Sequence, residues 1–581
     1  MNAIEHLEIL QKQYIVKSII DLDPFHSYEY STAQNYIRQQ CEPFANISFQ
    51  QSERIIFKLL KGDFYVKNQT TGLILRNLQI ILNEIGINNA FVSVLSNNPN
   101  LYQELKYVHN LNSDQDNKIT GVLTNDTGWS TVALDKYPST VEEMYRYGSI
   151  NPLKMAVDEL SSKEKFLLTE SKVFCMYPWI HLNVSPDGTA MPCCMYSQNI
   201  GVGDAKTHSL REIWNDTPMK KIRLNMLSEV KTNGCRRCYE KEESGFFSGR
   251  LNANKHHGHH INKASETNDD GSLYNFEMVY WDIRYSNLCN LKCRSCGHIF
   301  SSQWYQDQSK IAGPEWANAN KVLNYAGRTE TDMWEQLEPH LDYVEQIYFA
   351  GGEPLLMEEH YKILDELVKR NRFDVRLIYN TNFTHTKLKN NSVFEYWKLF
   401  NSVSIGASLD GSGVYGEYIR KGTDWAVVEQ NRKEMLRVCP QVDFYISPTI
   451  SILNAWHLPD FHRDWVERGF IKAQDLNVNL LQDPAHYRID IAPAEYKKQL
   501  LAKFTDHINW LKDKDPLQRA TVGFESAAKF MMATDNTHLI DTFWRKTYQL
   551  DDIRKENILT VIPELAVLKL HIQKHSKCPS C

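Results

Sequence analysis

Short apolar runs alternate with amphipathic stretches along the chain from about residue 276 to residue 490. Six runs are rich in β-branched and aromatic residues, which favour strands: "FEMVYWDIRYS", "VEQIYFAGG", "VRLIYNTNF", "SVSIGASLDG", "VDFYISPTISILN" and "DLNVNLLQ". The stretches between them, such as "EHYKILDELVKRN" and "AVVEQNRKEMLRV", have the spacing of amphipathic helices. Alternating strands and helices predict βαβ units and a parallel sheet. We therefore predict an α/β fold with a partial (β/α)6 barrel of the TIM type.

Polar residues are concentrated where these predicted strands end. Cys289 follows the first run, "GGEP" the second, "NTNF" the third and "SLDG" the fourth. In parallel sheets of this kind, ligands bind outside the carboxyl ends of the strands. We therefore predict a ligand site at that edge of the sheet.

The 581 residues are too many for one core and predict several domains. The predicted division is an N-terminal α/β domain of unknown role (1–150), a small hairpin-and-helix domain (171–250), a polar linker (251–275), the barrel (276–490) and a helical C-terminal region (491–581). The linker contains "HHGHH", which we interpret as a solvated loop. The C-terminal helices are expected to cover the open side of the barrel.

The charge balance excludes some classes of partner. Lys and Arg number 65 against 71 Asp and Glu, so no global basic field favours nucleic acid. Charges at Glu5, Glu8, Lys12 and Lys17 exclude a signal peptide or membrane span at the N-terminus. We expect a cytoplasmic protein that does not bind membranes. In that reducing compartment, clustered cysteines indicate metal rather than disulfides.

The stretch "SNLCNLKCRSCGH" places three cysteines, Cys289, Cys293 and Cys296, close together. Structural zinc needs four ligands, and the only local fourth candidate is His298. A cubane iron–sulfur cluster normally takes four cysteines. Three would leave one iron open to a ligand from outside the protein.

A second set of cysteines lies upstream, in "CMYPWIHLNVSPDGTAMPCC" and "GCRRCYEKEESG". The alternating residues around Pro-Asp-Gly predict a hairpin, which would bring Cys175 and Cys193 to one end. Cys235 and Cys238 follow a helical segment and could complete four ligands. On spacing alone, these four also fit a closed zinc site.

The triplet, "AGGEPLL" at 350–356 and "SLDG" at 408–411 together resemble the radical S-adenosylmethionine (SAM) superfamily. The upstream segment resembles the twitch domain, a shortened relative of SPASM domains, in the subfamily that carries it ahead of the barrel. Twelve residues separate Cys175 from Gly188 and four separate Gly188 from Cys193, which matches the hairpin spacing and selects Cys193 over Cys194. The resemblance covers roughly residues 171–490. Ser295 departs from it, because many members have an aromatic residue there.

The resemblance implies two 4Fe–4S clusters. Cys289, Cys293 and Cys296 would hold the first, with SAM on its open iron, and Cys175, Cys193, Cys235 and Cys238 would hold an auxiliary cluster. A flavodoxin- or ferredoxin-type donor would supply the electron. SAM would then yield a 5′-deoxyadenosyl radical that abstracts hydrogen from a substrate.

The resemblance also assigns SAM-binding roles to strand-end residues: Gly351, Gly352, Glu353, Asn382, Ser408, Asp410, Arg420 and Asn454. The glycines would let backbone approach the methionine moiety, and Arg420 would pair with the SAM carboxylate. Polar strand ends could equally cap helices, and Arg420 could form a surface ion pair. The catalytic acid or base is unknown, since no residue identifies one.

The function implied is hydrogen abstraction from a peptide or protein side chain, as in peptide maturases. A radical SAM dehydrogenase or cyclase of a small molecule (sugar, aminoglycoside or nucleotide) is the alternative within the family. A zinc-stabilised, non-catalytic binding module is the alternative of another class. Cys41 and Cys439 are expected to be small buried apolar residues, while the terminal Cys578 and Cys581 have the spacing of a redox dithiol or half a metal site, or belong to a frayed end.

Overall fold

The computed structural model describes residues 160–569 apart from 244–247, 441 and 516–517, together with the backbone of five strands nearer the N-terminus. The chain divides into two compact units. The first contains residues 1–182, 191–203 and 211–277, and the second contains 183–190, 204–210 and 278–581.

The N-terminal strands form a sheet of their own in chain order. They are β1 (Ile15–Asp21), β2 (Glu53–Leu59), β3 (Val92–Ser96), β4 (Ile119–Thr124) and β5 (Gly128–Ser130). The first four pair in parallel and β5 is antiparallel to β4. Strand β3 consists of the apolar run "VSVLS". Cys41, Cys578 and Cys581 lie outside the described residues.

The cysteine-rich region contains the predicted hairpin. Its elements are α1 (Ser162–Thr169), α2 (Tyr177–Ile180), β6 (His181–Val184), β7 (Thr189–Met191), β8 (Gly203–Asp204), α3 (Leu210–Trp214), α4 (Thr217–Leu227) and α5 (Arg236–Glu243). The hairpin turn is closed by a hydrogen bond from Ser185 N to Thr189 O of 3.0 Å, and Gly188 has φ +92°. An L-residue rarely adopts this φ, so the glycine is required there.

The prediction of a solvated linker at 251–275 is wrong. The segment contains most of helix α6 (Gly249–His257) and helix α7 (Asn262–Ser265). The physical reason is that its polar residues have partners within the fold. Asn254 is fully buried, donates to Phe174 O at 3.0 Å and accepts from Met176 N at 2.9 Å.

The second unit contains the predicted parallel sheet. Its strands are β9 (Tyr280–Ile283), β10 (Gln346–Phe349), β11 (Arg376–Thr381), β14 (Ser402–Ala407) and β15 (Asp443–Ile446), and neighbours in this order pair in parallel. Short strands β12 (Lys387–Leu388) and β13 (Asn391–Ser392) form a small antiparallel ribbon. The alternation of parallel strands and helices is therefore confirmed.

The sixth predicted strand continues the parallel series in a less regular form. Ile446 N donates to Asp475 O, and Asn477 N donates to Ile446 O. Farther along, β16 (Thr449–Ile450) pairs in parallel with β17 (Asn479–Leu480). The "DLNVNLLQ" run thus lies beside the end of the fifth strand, as its position in the chain predicts.

One face of this sheet is apolar and packs against helices. Phe349 and Tyr379 project from it, with ring centroids 4.7 Å and 5.4 Å from His360. Trp397 lies 5.2 Å from Tyr379. These aromatic contacts join the sheet to helices α11 (Glu358–Lys369) and α12 (Val393–Trp397), which the sequence pattern predicted.

The opposite face is polar and only half-buried. Along β10, β11 and β15 every second residue is half-buried while its neighbours are buried. Asn380 Nδ2 donates to Tyr348 Oη at 2.6 Å. A Cβ on Gly406 would lie 2.8 Å from Asn380 Oδ1 and 3.1 Å from Tyr445 Oη, so the glycine leaves room for these two side chains.

Further helices surround the sheet. They are α8 (Trp304–Ala312), α9 (Pro314–Ala319), α10 (Asp332–Leu337), α13 (Gly413–Ile419), α14 (Trp425–Val438), α15 (Leu458–Glu467), α16 (Ala494–Leu511), α17 (Arg519–Ala533), α18 (Ile540–Arg554) and α19 (Ile558–Val561). The helical C-terminal prediction is confirmed for the part of it that the structure describes, and Cys439 is buried as expected. A search of the described helices finds none with the length and apolarity needed to span a bilayer.

A buried histidine pair joins α15 to α16. His462 Nδ1 lies 2.9 Å from His507 Nε2, and both rings are almost completely buried. Burial lowers the pKa of His462 to about 3 and that of His507 to about 2. Both rings are therefore neutral in the folded protein, with one nitrogen donating and the other accepting.

We predict that this pair makes the second unit sensitive to acid. An unfolded histidine binds a proton near pH 6.5, whereas these two resist it, so stability falls as pH drops below about 6.5 towards 3. Between pH 7.5 and 5.5 the loss is about 1.4 kcal/mol for each ring. Unfolding midpoints measured at both pH values should differ less in His462→Leu/His507→Leu than in the wild type. An equal difference in the two proteins would contradict the prediction.

Candidate metal centres

The three cysteines of the triplet lie in a loop between β9 and α8 that has no regular secondary structure. Cys289 is buried and Cys293 and Cys296 are half-buried. Burial raises the pKa of all three thiols, that of Cys296 to about 12, and the charge of Cys293 raises those of both neighbours. The structure therefore brings the three sulfurs together in a protected site, as the sequence predicted.

Neighbouring backbone holds this loop on two sides. Glu353 N donates to Leu288 O at 2.7 Å on one side. On the other, Lys292 N donates to Lys421 O at 2.9 Å and Arg294 N to Ile419 O at 2.8 Å. These bonds replace those that a helix or strand would have supplied within the loop.

Gly351 and Gly352 allow the first of these contacts. Their φ angles are +80° and +53°. A Cβ on Gly351 would lie 2.4 Å from Arg284 Cβ, and one on Gly352 would lie 2.3 Å from Leu288 O. The two glycines thus let the backbone approach the strand end at Arg284 and the cysteine loop at Leu288. The approach to the methionine moiety of SAM stays a prediction.

The side chains of Ser302 and Trp304 hold the loop through hydrogen bonds to its cysteine peptides. Ser302 Oγ donates to Cys289 O at 3.2 Å and accepts from Cys289 N at 3.3 Å. Trp304 Nε1 donates to Cys293 O at 2.8 Å. His298, the local fourth candidate, packs its ring 5.1 Å from Trp316.

A buried ionic network ties the loop to the C-terminal region. Arg294 Nη2 donates to Asp551, and to Glu556 Oε2 at 2.7 Å, while its guanidinium stacks 3.7 Å from the Tyr418 ring. Arg294 is 2 % exposed, so its charge requires these carboxylates. Sequence reasoning missed this set, because nothing local marks partners so far apart.

A second arm of the network starts at Asp307. Its carboxylate accepts from Lys292 Nζ at 2.9 Å and from Arg554 Nε at 2.7 Å. These partners lower the pKa of Asp307 although burial opposes them. The carboxylate therefore stays charged and connects α18 to the cysteine loop.

Arg420 contacts the triplet directly. Its Nη1 donates to Cys293 Sγ at 3.6 Å, and its Nε lies 2.8 Å from Asp410 Oδ2. Its charge lowers the pKa of Cys293, against the larger effect of burial. The surface ion pair considered for Arg420 is excluded, because the side chain is 14 % exposed and donates to Cys293 Sγ.

Glu353 is a buried carboxyl group with three donors. It accepts from Thr381 Oγ1 at 2.6 Å, Asn382 N at 2.7 Å and Leu355 N at 3.1 Å. Burial raises its pKa to about 7, although these hydrogen bonds lower it. Glu353 thus joins the ends of two strands.

Asn382 and Ser408 differ in the hydrogen bonds that they make. Asn382 Nδ2 donates to Asn290 Oδ1 at 2.9 Å, and its Oδ1 accepts from Thr384. Asn382 thereby connects a strand end to the cysteine loop. Ser408 donates its backbone N–H to Thr381 O and is half-buried.

Asp410 and Asn454 use their side chains for hydrogen bonds to other groups of the protein. Asp410 Oδ1 accepts from Thr449 N at 2.8 Å. Asn454 Nδ2 donates to Asp410 O and Thr449 O, and its Oδ1 accepts from Ser451 N and Oγ. These bonds use all the hydrogen-bonding capacity of the Asn454 side chain. They leave none for a ligand.

The second set of cysteines surrounds a cavity in the first unit. About 320 Å³ of empty space, including its mouth, is lined by Cys175, Cys193, Cys235 and Cys238 together with Val173, Tyr177, Met195, Tyr196, Met226, Gly249 and Arg250. Burial raises the pKa of Cys175 and Cys193, and that of Cys235 to about 12. The four cysteines predicted to share a site are therefore together. Cys194 is not among the lining residues.

In both sets the sulfurs are spaced too widely for one small ion. Four sulfurs at about 2.3 Å from zinc would lie about 3.8 Å apart. Among the described residues, no three cysteine sulfurs lie within 4.8 Å of one another. The cysteines would have to move inward to hold a single zinc ion, whereas a four-iron cluster accepts thiolates farther apart.

A family model confirms the upstream assignment. Residues 175–239 match the SPASM iron–sulfur cluster-binding domain. These residues form a SPASM domain. The match begins at Cys175 and includes Cys193, Cys235 and Cys238, the four cysteines that line the cavity.

Solved structures resemble the chain only in part. "Native anSMEcpe with bound AdoMet" is 20 % identical, with a TM-score of 0.29, over 40 % of this chain and 60 % of that chain. "His6 tagged anSMEcpe with bound AdoMet" is 22 % identical over the same shares, also with a TM-score of 0.29. The chain thus spans about three fifths of these structures. Likeness at this level carries no argument about activity. Among curated proteins no relative matches the chain.

We predict that Gly352→Ala removes the metal of the triplet selectively. The added Cβ would displace Leu288, next to Cys289, while the SPASM cysteines lie in a separate domain. If each cysteine set holds a four-iron cluster, the iron bound after anaerobic reconstitution should fall to roughly half, because one of the two clusters is lost.

Gly469→Ala is the matched control. Gly469 also has a positive φ, +73°, but nothing lies within 4 Å of the position of its Cβ. The Gly469→Ala variant therefore introduces the same kind of backbone strain without a steric clash, and we expect it to keep its iron. Equal iron contents in the two variants would contradict the prediction.

Proposed function

We propose that this chain is a radical SAM enzyme with one auxiliary 4Fe–4S cluster, acting on a peptide or protein side chain. The carrying observation is the triplet of Cys289, Cys293 and Cys296, which lies in one loop beside Arg420 with no fourth cysteine in the loop. A SPASM domain in the same chain supports the auxiliary cluster. When bound, the first cluster and SAM supply one-electron cleavage of SAM and a 5′-deoxyadenosyl radical that abstracts hydrogen.

In this proposal Arg420 balances the charge of the triplet. Its guanidinium donates to Cys293 Sγ and forms an ion pair with Asp410. Asp410 is in turn fixed through its carboxylate by Thr449 and through its backbone by Asn454. We therefore propose Asp410 and Asn454 as positioning residues rather than direct contacts of SAM.

Direct contact with SAM is proposed for the other strand-end residues that the resemblance assigns. Ser408 directly follows β14 and is half-buried. Gly351, Gly352 and Glu353 form the adjoining turn, and Asn382 follows β11. These five residues directly follow the carboxyl ends of neighbouring strands, where parallel sheets bind ligands.

A polar substrate suits the half-buried face of the sheet. Tyr348 and Asn380 form a hydrogen-bonded pair there, and Tyr445 lies beside Gly406. Such a face offers both donors and acceptors, as a peptide does. We propose that the parallel strands curve into the partial barrel, with this face lining the substrate chamber. We further propose a flavodoxin- or ferredoxin-type electron donor and a cytoplasmic location.

Metal analysis tests the class of the protein. After anaerobic reconstitution we expect about eight iron and a similar amount of sulfide per chain, corresponding to two cubanes. Iron, sulfide and zinc would be measured on the same sample. Stoichiometric zinc without iron would favour the non-catalytic binding module instead.

Two cysteine variants separate the two sites. Cys293→Ala should abolish 5′-deoxyadenosine formation, because one thiolate of the SAM-binding loop is lost. Cys235→Ala removes a ligand from the SPASM domain and leaves the loop intact, so it should still form 5′-deoxyadenosine. The 5′-deoxyadenosine formed by each variant is measured by chromatography after reduction with dithionite and addition of SAM.

Folding must be compared first, because loss of a structural metal can unfold a small domain. Circular dichroism of both variants should match the wild type. Formation of 5′-deoxyadenosine at the wild-type rate by Cys293→Ala would sink the proposed role of the triplet.

A further inference from the structure

Helix α6 closes the SPASM cavity from outside the matched domain. The match ends at residue 239, whereas α6 spans Gly249–His257. Gly249 and Arg250 nevertheless line the cavity. A Cβ on Gly249 would lie 3.7 Å from Cys238 Sγ, so the start of this helix lies directly against a cysteine.

Arg250 holds the segment that precedes Cys175. Its Nη1 donates to Ser171 O at 3.1 Å and to Phe174 O at 2.9 Å. Asn254, one turn later on the same helix, donates to Phe174 O and accepts from Met176 N. The peptide groups on both sides of Cys175 are thus fixed by α6.

Arg250 also places a charge at the cavity. The other lining residues are cysteine, tyrosine, glycine or apolar residues, so Arg250 is the one permanent cation among them. The Glu242 carboxylate neutralises this charge, accepting from Arg250 Nε at 2.9 Å and from Arg250 Nη2. The Arg250 side chain is 4 % exposed, so water screens its charge little.

We propose that Arg250 is a positioning residue of the auxiliary site that also raises the reduction potential of the cluster held there. Reduction adds a negative charge to the cluster, and a fixed cation beside it favours that state. The inference rests on the proposed function only in requiring that the four cysteines hold an iron–sulfur cluster. It deepens that function by naming what tunes the cluster.

The test uses the full chain carrying Cys289→Ala, Cys293→Ala and Cys296→Ala, so that only the SPASM cysteines hold a cluster. Midpoint potentials are measured by redox titration followed by electron paramagnetic resonance. Arg250→Gln should shift the potential to more negative values, and Arg250→Lys should restore part of the shift. Glu242→Gln should shift it in the opposite direction, because it removes the balancing anion.

Asn254→Ser is the matched structural control. It loses the uncharged contacts to the same segment, so it should retain less iron but keep the parental potential in the cluster that remains. Potentials of Arg250→Gln and Glu242→Gln equal to the parent would overturn the inference. If Arg250→Gln retains no iron, the midpoint potentials of Arg250→Lys and Glu242→Gln are compared with that of the parent instead. Potentials equal to the parent in these two variants would overturn the inference. A parent that takes up no iron would instead overturn the proposed auxiliary cluster itself.

Discussion

The triplet loop must bury three thiols without forming a helix or strand, so its peptide groups need partners from elsewhere in the chain. Much of the second unit supplies them. The Gly351–Glu353 turn holds one side and residues 419–421 hold the other. Ser302 and Trp304 donate hydrogen bonds to the carbonyl groups of Cys289 and Cys293. Asp551 of α18 neutralises Arg294, and Asp307 of α8 neutralises Lys292. The glycines and the long-range carboxylates are therefore parts of one requirement, which is to hold three sulfurs in fixed positions.

The two cysteine sites share an electrostatic design. Burial raises the pKa of all three triplet thiols and, in the SPASM domain, that of Cys175, Cys193 and Cys235. Metal binding must therefore displace protons from groups that hold them tightly. Each site also places one arginine against the sulfurs and balances it with a buried or partly buried carboxylate: Arg420 with Asp410, and Arg250 with Glu242. The cation lowers the cost of collecting thiolates, while its partner fixes the position of the guanidinium. This arrangement suits clusters that change charge during a reaction.

Local patterns predicted the strands, the order of the parallel sheet, the hairpin and both cysteine sets, because each depends on residues close in the sequence. The patterns could not reveal partners brought together only by folding. Arg294 and Asp551 are 257 positions apart. Asn254 lies in a stretch whose polar composition is typical of a linker, yet it is buried because backbone groups next to Cys175 satisfy it. Asp410 and Asn454 carry the signature of ligand contacts, but the structure uses them to hold Thr449 and Ser451.

The central claim is that the triplet holds a cluster with one iron left open for SAM. Its most direct measurement is the electron paramagnetic resonance spectrum of the dithionite-reduced chain with and without SAM, recorded in a Cys175→Ala/Cys235→Ala background that leaves only the triplet to hold a cluster. The account predicts a reduced-cluster signal whose g values change when SAM is added, because SAM binds the iron that lacks a cysteine. A reduced cluster whose spectrum is identical with and without saturating SAM would contradict it.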